Sequence, residues 1–503
     1  MRFYNIFTSI STPEGRFKFI NADYAGTEAG TFAQPYNTLS DMNAIGNNFI
    51  IYLRAATATY NFRSTGSYHH GGSLGQFRYV NRFASSADSV QFLGYPGEAK
   101  PIIDGGKGFE PVLYSGVNTT TNEFTVGRWG DIWATGDAVE VQARRCTYNG
   151  SSCTSEAAGT LPSPLTTAPY VYYVVRVDAT HIKLSDTYAH AIAGTDIIDI
   201  TTTGDSGTLD NYTIFGGSPF WKTYGSPVYY DGIAFQNMPN KGLNFINDND
   251  YRVIRNNTFT NQYGGGNGMN SGMIDTEGNT TCADPDTSEF AVIQNNIFTG
   301  ANDSALVKIY AHWKLLIEGN TFSNSYEGVS GVAEGLALKG GCMTQLTVRS
   351  NVIHDISTDG LAGNNNTLSG GEYLYNVIYD VDPRALRVNQ NEAMILPFYY
   401  ERNSICGPIE LSDTALAGNF NFVQNVIVNT AGAGSPAGIT FVTSNFSHVV
   451  MTNNLTGVSA DGIVDSTCNL QGSYRTSWLG TRGYELADTT VSRRYSGRLF
   501  LRR

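Results

Sequence analysis

Two lysines and three acids keep step with a recurring asparagine. Lys308 and Lys339 stand twelve residues before Asn320 and Asn351, and Asp303, Glu334 and Asp359 stand seventeen before Asn320, Asn351 and Asn376. The same twelve-residue offset before Asn376 and Asn403 reaches Asn364 and Asn391. If the chain returns to one corner in each repeat, every set forms a column with neighbours about 4.8 Å apart. Like charges at that spacing repel by roughly 1 kcal/mol in water, and by more when partly buried, so the columns call for a counterion, a ligand or shifted protonation. A column of carboxylates suits calcium, and a lysine with a lowered pKa suits removal of the proton beside a uronate carboxylate. A plainer role fits the acids equally: acid-Gly-apolar also occurs at Asp231-Gly232-Ile233 and Asp461-Gly462-Ile463, so Glu334-Gly335-Leu336 and Asp359-Gly360-Leu361 also read as turns that open a repeat.

The elements that would position these groups come from the repeat itself. From about residue 230 the triplet Asn, any residue, large apolar residue recurs at Asn257, Asn296, Asn320, Asn351, Asn376, Asn403, Asn425 and Asn453, each after a strand-like run. A unit of some 22 to 31 residues, with one longer insertion, cannot bury its apolar side alone, so successive units must stack as a solenoid of parallel strands. Asn suits the corner because it tolerates left-handed backbone and its amide can bond to an identical amide one turn above.

Composition agrees with strands and turns. Only 15% of the 503 residues are charged, while Gly contributes 55, Tyr 30 and Phe 26. A net charge of -12 argues against a nucleic-acid partner. No apolar run reaches the length of a membrane-spanning helix, so no membrane insertion is expected. The segment before Ser9 is too short for a signal-peptide core, so ordinary cleaved secretion is not expected either. Six cysteines are too few for a disulfide scaffold; Cys146 and Cys153 could close a loop or remain free thiols.

Between about 119 and 213 the Asn pattern gives way to alternating stretches such as Tyr172-Tyr173-Val174-Val175 and His181-Ile182-Lys183-Leu184, which predict a small antiparallel β module inserted in the solenoid. Five parts follow: an N-terminal segment 1–20, a cap and first rungs 21–118, the module 119–213, the main solenoid 214–472, and a C-terminal segment 473–503 with a basic tail.

The Asn triplets and rung lengths resemble the right-handed parallel β-helix of the pectate-lyase-like superfamily, over roughly 20–110 and 215–470. Asn21 to Gly26 and Gly30 to Leu39 are similar to that family's first strand and short capping helix. The inserted stretch, with Gly136-Asp137-Ala138-Val139, Leu161-Pro162 and Ile182-Lys183-Leu184, resembles modules of bacteriophage tail and other virion proteins. The predicted class is therefore all-β, a right-handed parallel β-helix solenoid with an inserted small antiparallel β domain. The resemblance implies a virion-associated spike, fibre or decoration protein of a bacteriophage that binds or degrades host-surface polysaccharide, a homotrimer in contact with other virion proteins. The alternative is a free, extracellular polysaccharide lyase acting on an acidic glycan by β-elimination. By analogy with lyases of the superfamily, Lys339 would be the base, Lys308 a carboxylate neutraliser, and Asp303, Glu334 and Asp359 the Ca2+ ligands.

Other residues complete the candidate site. His354, followed by Asp355 after the Asn351 corner, is a possible general acid, or a corner histidine with no function. Tyr310, Trp313, Tyr375 and Arg387 fall near the middle rungs and are assigned to substrate binding, as are Tyr373, Tyr399 and Tyr400, unless they pack the core. Serine-hydrolase, zincin and nucleotide-binding motifs are absent from the sequence.

Overall fold

The computed structural model describes most of residues 16–458; outside it lie 1–15, 459–503 and connecting segments, the longest of them 62–76, 81–89, 278–289 and 430–438. Three parallel sheets run the length of the molecule. The first has twelve strands from Phe17–Ile20 to Val449–Thr452, the second eleven from Tyr60–Asn61 to Leu455–Val458, and the third ten from Phe77–Val80 to Ile439–Phe441. From Ile50–Leu53 to Ile439–Phe441 the chain visits them in turn, so each of these rungs contributes one strand to each sheet, and the molecule is a parallel β-helix.

A seven-stranded antiparallel sheet, from Val112–Tyr114 to Tyr212–Gly216, interrupts one rung between its second-sheet strand Ile102–Asp104 and its third-sheet strand Trp221–Tyr224. It has its own core of Phe124, Val141, Tyr172, Val174, Ile182 and Leu184. The module is thus wider than 119–213: Val112–Tyr114 pairs with Tyr212–Gly216 and closes it at the base. The solenoid likewise starts earlier than expected, because Phe17–Ile20 already pairs in register with Ile50–Leu53. Asn21 to Gly26 is turns rather than strand, and the described part of the expected capping helix, Gly30 to Asn37, is bends that return Tyr36 to a bridge with Ile20. The single α-helix among the described residues is Tyr188–Ala193, so none there is long and apolar enough to cross a membrane.

Ring stacks repeat at the rung spacing inside the solenoid. Phe235, Phe259, Phe298 and Phe322 follow one another at 4.9, 4.8 and 5.1 Å, and Tyr373, Tyr400 and Phe422 at 4.6 and 4.7 Å. Tyr373 and Tyr400 are therefore core residues, not groove residues. Burial without compensation pushes the Tyr373 phenol far above its ordinary range.

The asparagine ladder is complete from Asn257 to Asn454. From Asn296 on, each Oδ1 accepts from both the backbone N–H and the Nδ2 of the ladder Asn one rung before, at 2.8–3.2 Å, as in Asn320 onto Asn351 at 3.0 and 3.0 Å, while Asn257 Oδ1 accepts from the Ile233 N–H. Asn454, not Asn453, is the last member among the described residues. The left-handed residue is also one position earlier than expected. Positive φ falls on Asn256, Asn295, Gly319, Ser350, Tyr375, Arg402, Gln424 and Asn453, while the ladder Asn is the buried residue that follows.

Cys406 is disulfide-bonded, and no cysteine is free among the described residues. Cys146 and Cys153 stand on two paired strands, but their side chains lie outside the described residues, as does any bond between them.

Candidate functional site

The third sheet gathers most of the expected residues. In Glu334–Lys339, Leu336 and Leu338 enter the core, so Ala337 and Lys339 face the other way. Ala305, Ala337 and Ala362 are buried yet belong to no core cluster, which marks the same outer face on three rungs. Gly335 and Gly360 turn the strand starts against the core: a Cβ on Gly360 would lie 2.7 Å from the Ala385 carbonyl oxygen and 3.0 Å from Ile378 Cγ2. Asp231-Gly232 is a different feature, since Gly232 takes a positive φ at the end of a first-sheet strand.

Three columns cross this face. The first runs Ala305, Glu334, Asp359, Arg384; the second Asp275, Lys308, Ala337, Ala362, Arg387, Glu410; the third Tyr310, Lys339, Asn364, Asn389, Ser412. Glu334 and Asp359 do stack. The lysines do not: Lys308 lies beside Ala337, and Lys339 beside Tyr310. Lys308 is seven residues before Leu315, whereas its partner Ala337 is nine before Leu346, the partner of Leu315, so the connection to the next sheet is two residues longer on the later rung. The same difference puts Ala305 in the place expected for Asp303, which lies outside the described residues. A second two-residue lengthening, between Asn389 and Phe398, puts Asn389, not Asn391, beside Asn364.

The stacked acids carry their counterions within the face. Lys339 Nζ lies 2.8 Å from Glu334 Oε2. Arg384 donates to Asp359 through Nε at 2.5 Å and Nη2 at 3.3 Å, and Arg387 Nη1 adds a contact at 3.3 Å. Beyond Asp359, Arg384 Nη1 reaches Glu410 Oε2 at 3.4 Å and Arg387 Nε reaches its Oε1 at 3.7 Å. Burial differs by sign. The Glu334 and Asp359 side chains are 4% and 1% exposed, while Lys339, Arg384 and Arg387 are 16%, 21% and 25% exposed, so the acids lie behind and the cations in front. Burial pushes the Asp359 carboxyl up; Arg384 opposes that, Glu334 adds to it, and Arg387 opposes it. Lys308 is buried under the same face.

Arg384 and Glu410 were not singled out in the sequence. Arg384 stands nineteen residues before Asn403 whereas Asp359 stands seventeen before Asn376, so a fixed offset passes it by. Their signal is Arg384, Arg387 and Glu410 on the rungs just after a stacked acid pair. Among the described residues no group of three or more His, Cys, Asp or Glu could hold a metal.

The remaining candidates lie elsewhere. His354 is on the second sheet, in register with Ser323 and Tyr379, its ring parallel to that of Tyr379 at 5.0 Å and its Nδ1 2.5 Å from Asp355 Oδ2. Asp355 and Asp380 take positive φ at that bend, where earlier rungs have Asn261, Gly300 and Asn324, so His354-Asp355 is this sheet's bend motif. Tyr375 is at the corner between the first and second sheets. The Tyr310 side chain and the whole of Trp313 lie outside the described residues.

Lys339 is therefore no ordinary solvated rung residue. Lys339→Ala should cost about 1–2 kcal/mol, because it leaves a nearly buried carboxylate without its cation. Urea unfolding checks this, and an unchanged midpoint would show that the Glu334 charge is compensated without Lys339.

No family model matches the chain, and no curated protein matches it. Among solved structures it is similar to XylC in complex with xylose, with a TM-score of 0.36 and 10% identity over 84% of this chain and 69% of that one. It is also similar to the GH136 lacto-N-biosidase from Eubacterium ramulus, with a TM-score of 0.31 and 12% identity over 88% and 65% of the two chains. A third is the tailspike gp61 of Pseudomonas phage phi297, with a TM-score of 0.23 and 9% identity over 90% and 82%. The fold assignment rests on this chain's own three parallel sheets.

Proposed function

We propose that this β-helix is a virion-associated spike, fibre or decoration protein of a bacteriophage that binds an acidic host-surface polysaccharide on the outer face of its third sheet. The observation that carries the binding reading is the pair Arg384 and Arg387, fixed from behind by the buried Asp359 and by Glu410 beside two alanines that leave the sheet surface low. Guanidinium groups held in one geometry bind carboxylate, sulfate or phosphate at less entropic cost than free ones. In a chain of net charge -12 this face sets Lys308, Lys339, Arg384 and Arg387 against Asp275, Glu334, Asp359 and Glu410, with Lys339, Arg384 and Arg387 in front of the nearly buried Glu334 and Asp359. Placement on a particle, as a homotrimer among other virion proteins, follows the inserted antiparallel module and its resemblance to virion modules.

The test is retention of purified capsular and O-antigen polysaccharides, acidic and neutral, by native protein and by Arg387→Gln. The loss expected for Arg387→Gln is about 10- to 100-fold, that of a charged hydrogen bond, and confined to acidic glycans; binding of the native protein should weaken as salt rises. Equal retention of neutral and acidic chains would overturn the charge-based reading.

A second reading keeps catalysis. Lys339 is the base of β-elimination, the more exposed Arg387 takes the place of the buried Lys308 as carboxylate neutraliser, and Ca2+ is the added cation. Its signature is new unsaturated uronate ends on a retained polysaccharide.

A further inference from the structure

The first corner of the solenoid departs from its own rule on four successive rungs. Every described corner residue from Gly232 to Asn453 has positive φ, between 54° and 73°. That conformation is inexpensive for Gly and Asn and strained for other L-residues. Gly232, Asn256, Asn295, Gly319 and Asn453 obey this chemistry, but Ser350, Tyr375, Arg402 and Gln424 do not. Strain kept by bulky residues, where the same protein elsewhere uses Asn or Gly, points to a use for their side chains.

Those side chains are organised. Arg402 Nη1 donates to the Tyr375 hydroxyl, and the guanidinium lies over the Tyr375 ring, 5.5 Å from its centroid. Arg402 Nε donates to Gln424 Oε1 at 3.1 Å and also meets Glu401 Oε1 at 3.1 Å. Tyr375 remains 43% exposed. The result is a ridge, one residue wide and three rungs long, of an aromatic ring, a guanidinium and an amide in contact.

We propose that the Tyr375, Arg402 and Gln424 ridge is a second saccharide-binding site, separate from the third sheet. Arg402 covers one face of the Tyr375 ring, so a pyranose ring stacks its C–H face on the other, and its rim of hydroxyls pairs with the guanidinium, amide and phenol groups of the ridge. Because Glu401 balances Arg402, the ridge takes the sugar ring and its hydroxyls rather than an acidic substituent. A protein partner would need about 800 Å² on this side, far more than three residues offer. The site extends the glycan-binding reading above but does not depend on the third-sheet arginines.

The test replaces the strained residues with the one the corner uses elsewhere. The double variant Tyr375→Asn, Arg402→Asn is compared with native protein and with Arg387→Gln on the same panel of capsular and O-antigen polysaccharides, alongside thermal unfolding. Expected is at least a tenfold loss of retention with the melting temperature unchanged or raised by roughly 1–2 °C, since relief of strain offsets the lost stacking. Unchanged retention, or retention lost only together with a lower melting temperature, overturns the ridge. Loss with Arg387→Gln but not with the double variant overturns the ridge and leaves the third-sheet reading standing; no retention of any polysaccharide by native protein overturns both.

Discussion

Replacing Asn351 with leucine should lower the unfolding free energy by about 3 kcal/mol, although the new side chain has nearly the same volume. Asn351 Oδ1 accepts from the backbone N–H and the Nδ2 of Asn320 at 3.0 and 3.0 Å, and its own Nδ2 donates to the Ile317 carbonyl at 3.0 Å and to Asn376 Oδ1 at 2.9 Å. Leucine removes all four bonds. It leaves the buried Asn320 N–H without its acceptor, and at roughly 1–3 kcal/mol per orphaned group that loss outweighs any gain from apolar area. Asn454→Leu is the control. Asn454 ends the described ladder and is itself only partly buried, but the Asn425 N–H that it accepts from is buried, so the cost should be smaller than for Asn351 without vanishing, about 1–2 kcal/mol. Urea midpoints of the two variants provide the comparison, and equal shifts would mean that ladder position and burial do not set the cost.

Replacing Arg384 with methionine should cost about 3 kcal/mol at neutral pH, because it strands the 1%-exposed Asp359 carboxylate with Arg387 alone. The pH dependence gives this effect a sign. Burial already raises the Asp359 pKa above its ordinary value in the native protein. Its contribution to stability is thus fully present below the unfolded value of about 3.9 and is lost as pH rises through the folded one. Arg384 is the largest influence opposing that rise, so its removal moves the folded value further up. The deficit of the variant relative to native protein should be largest near neutrality and shrink as acid protonates Asp359. Adding Asp359→Asn should recover much of it at pH 7. A deficit constant from pH 4 to 7, or no recovery in the double variant, would remove the buried charge as the cause.

The rungs were legible because one local rule repeats: an amide that satisfies itself only against an identical amide must recur once per turn, whatever the loops do between. The inserted module was legible because its alternation differs from that rule. Less could be read of which tyrosines are useful. Tyr399 at 45% exposure and the buried Tyr400 are chain neighbours, and strand parity alone decides between groove and core. Tyr375 was assigned to substrate binding for its ring, but its strain and the Arg402 beside it escaped, since the left-handed position is one residue before the Asn that announces the corner.

By itself, then, the sequence determined the period, the parallel stacking and the ladder, and it aligned Glu334 with Asp359 while leaving them open as turn residues; that they and Lys339 share the outer face of the third sheet came from the structure. Only the tertiary structure decided who stands beside whom on that face. The connection from the third sheet to the first lengthens by two residues after the Lys308 rung and again after the Ala362 rung, and side chains alternate with a period of two. A slip of two therefore keeps a residue on its face while changing its neighbour, which is why Lys308 left the column of Lys339 and Arg384 entered that of Asp359.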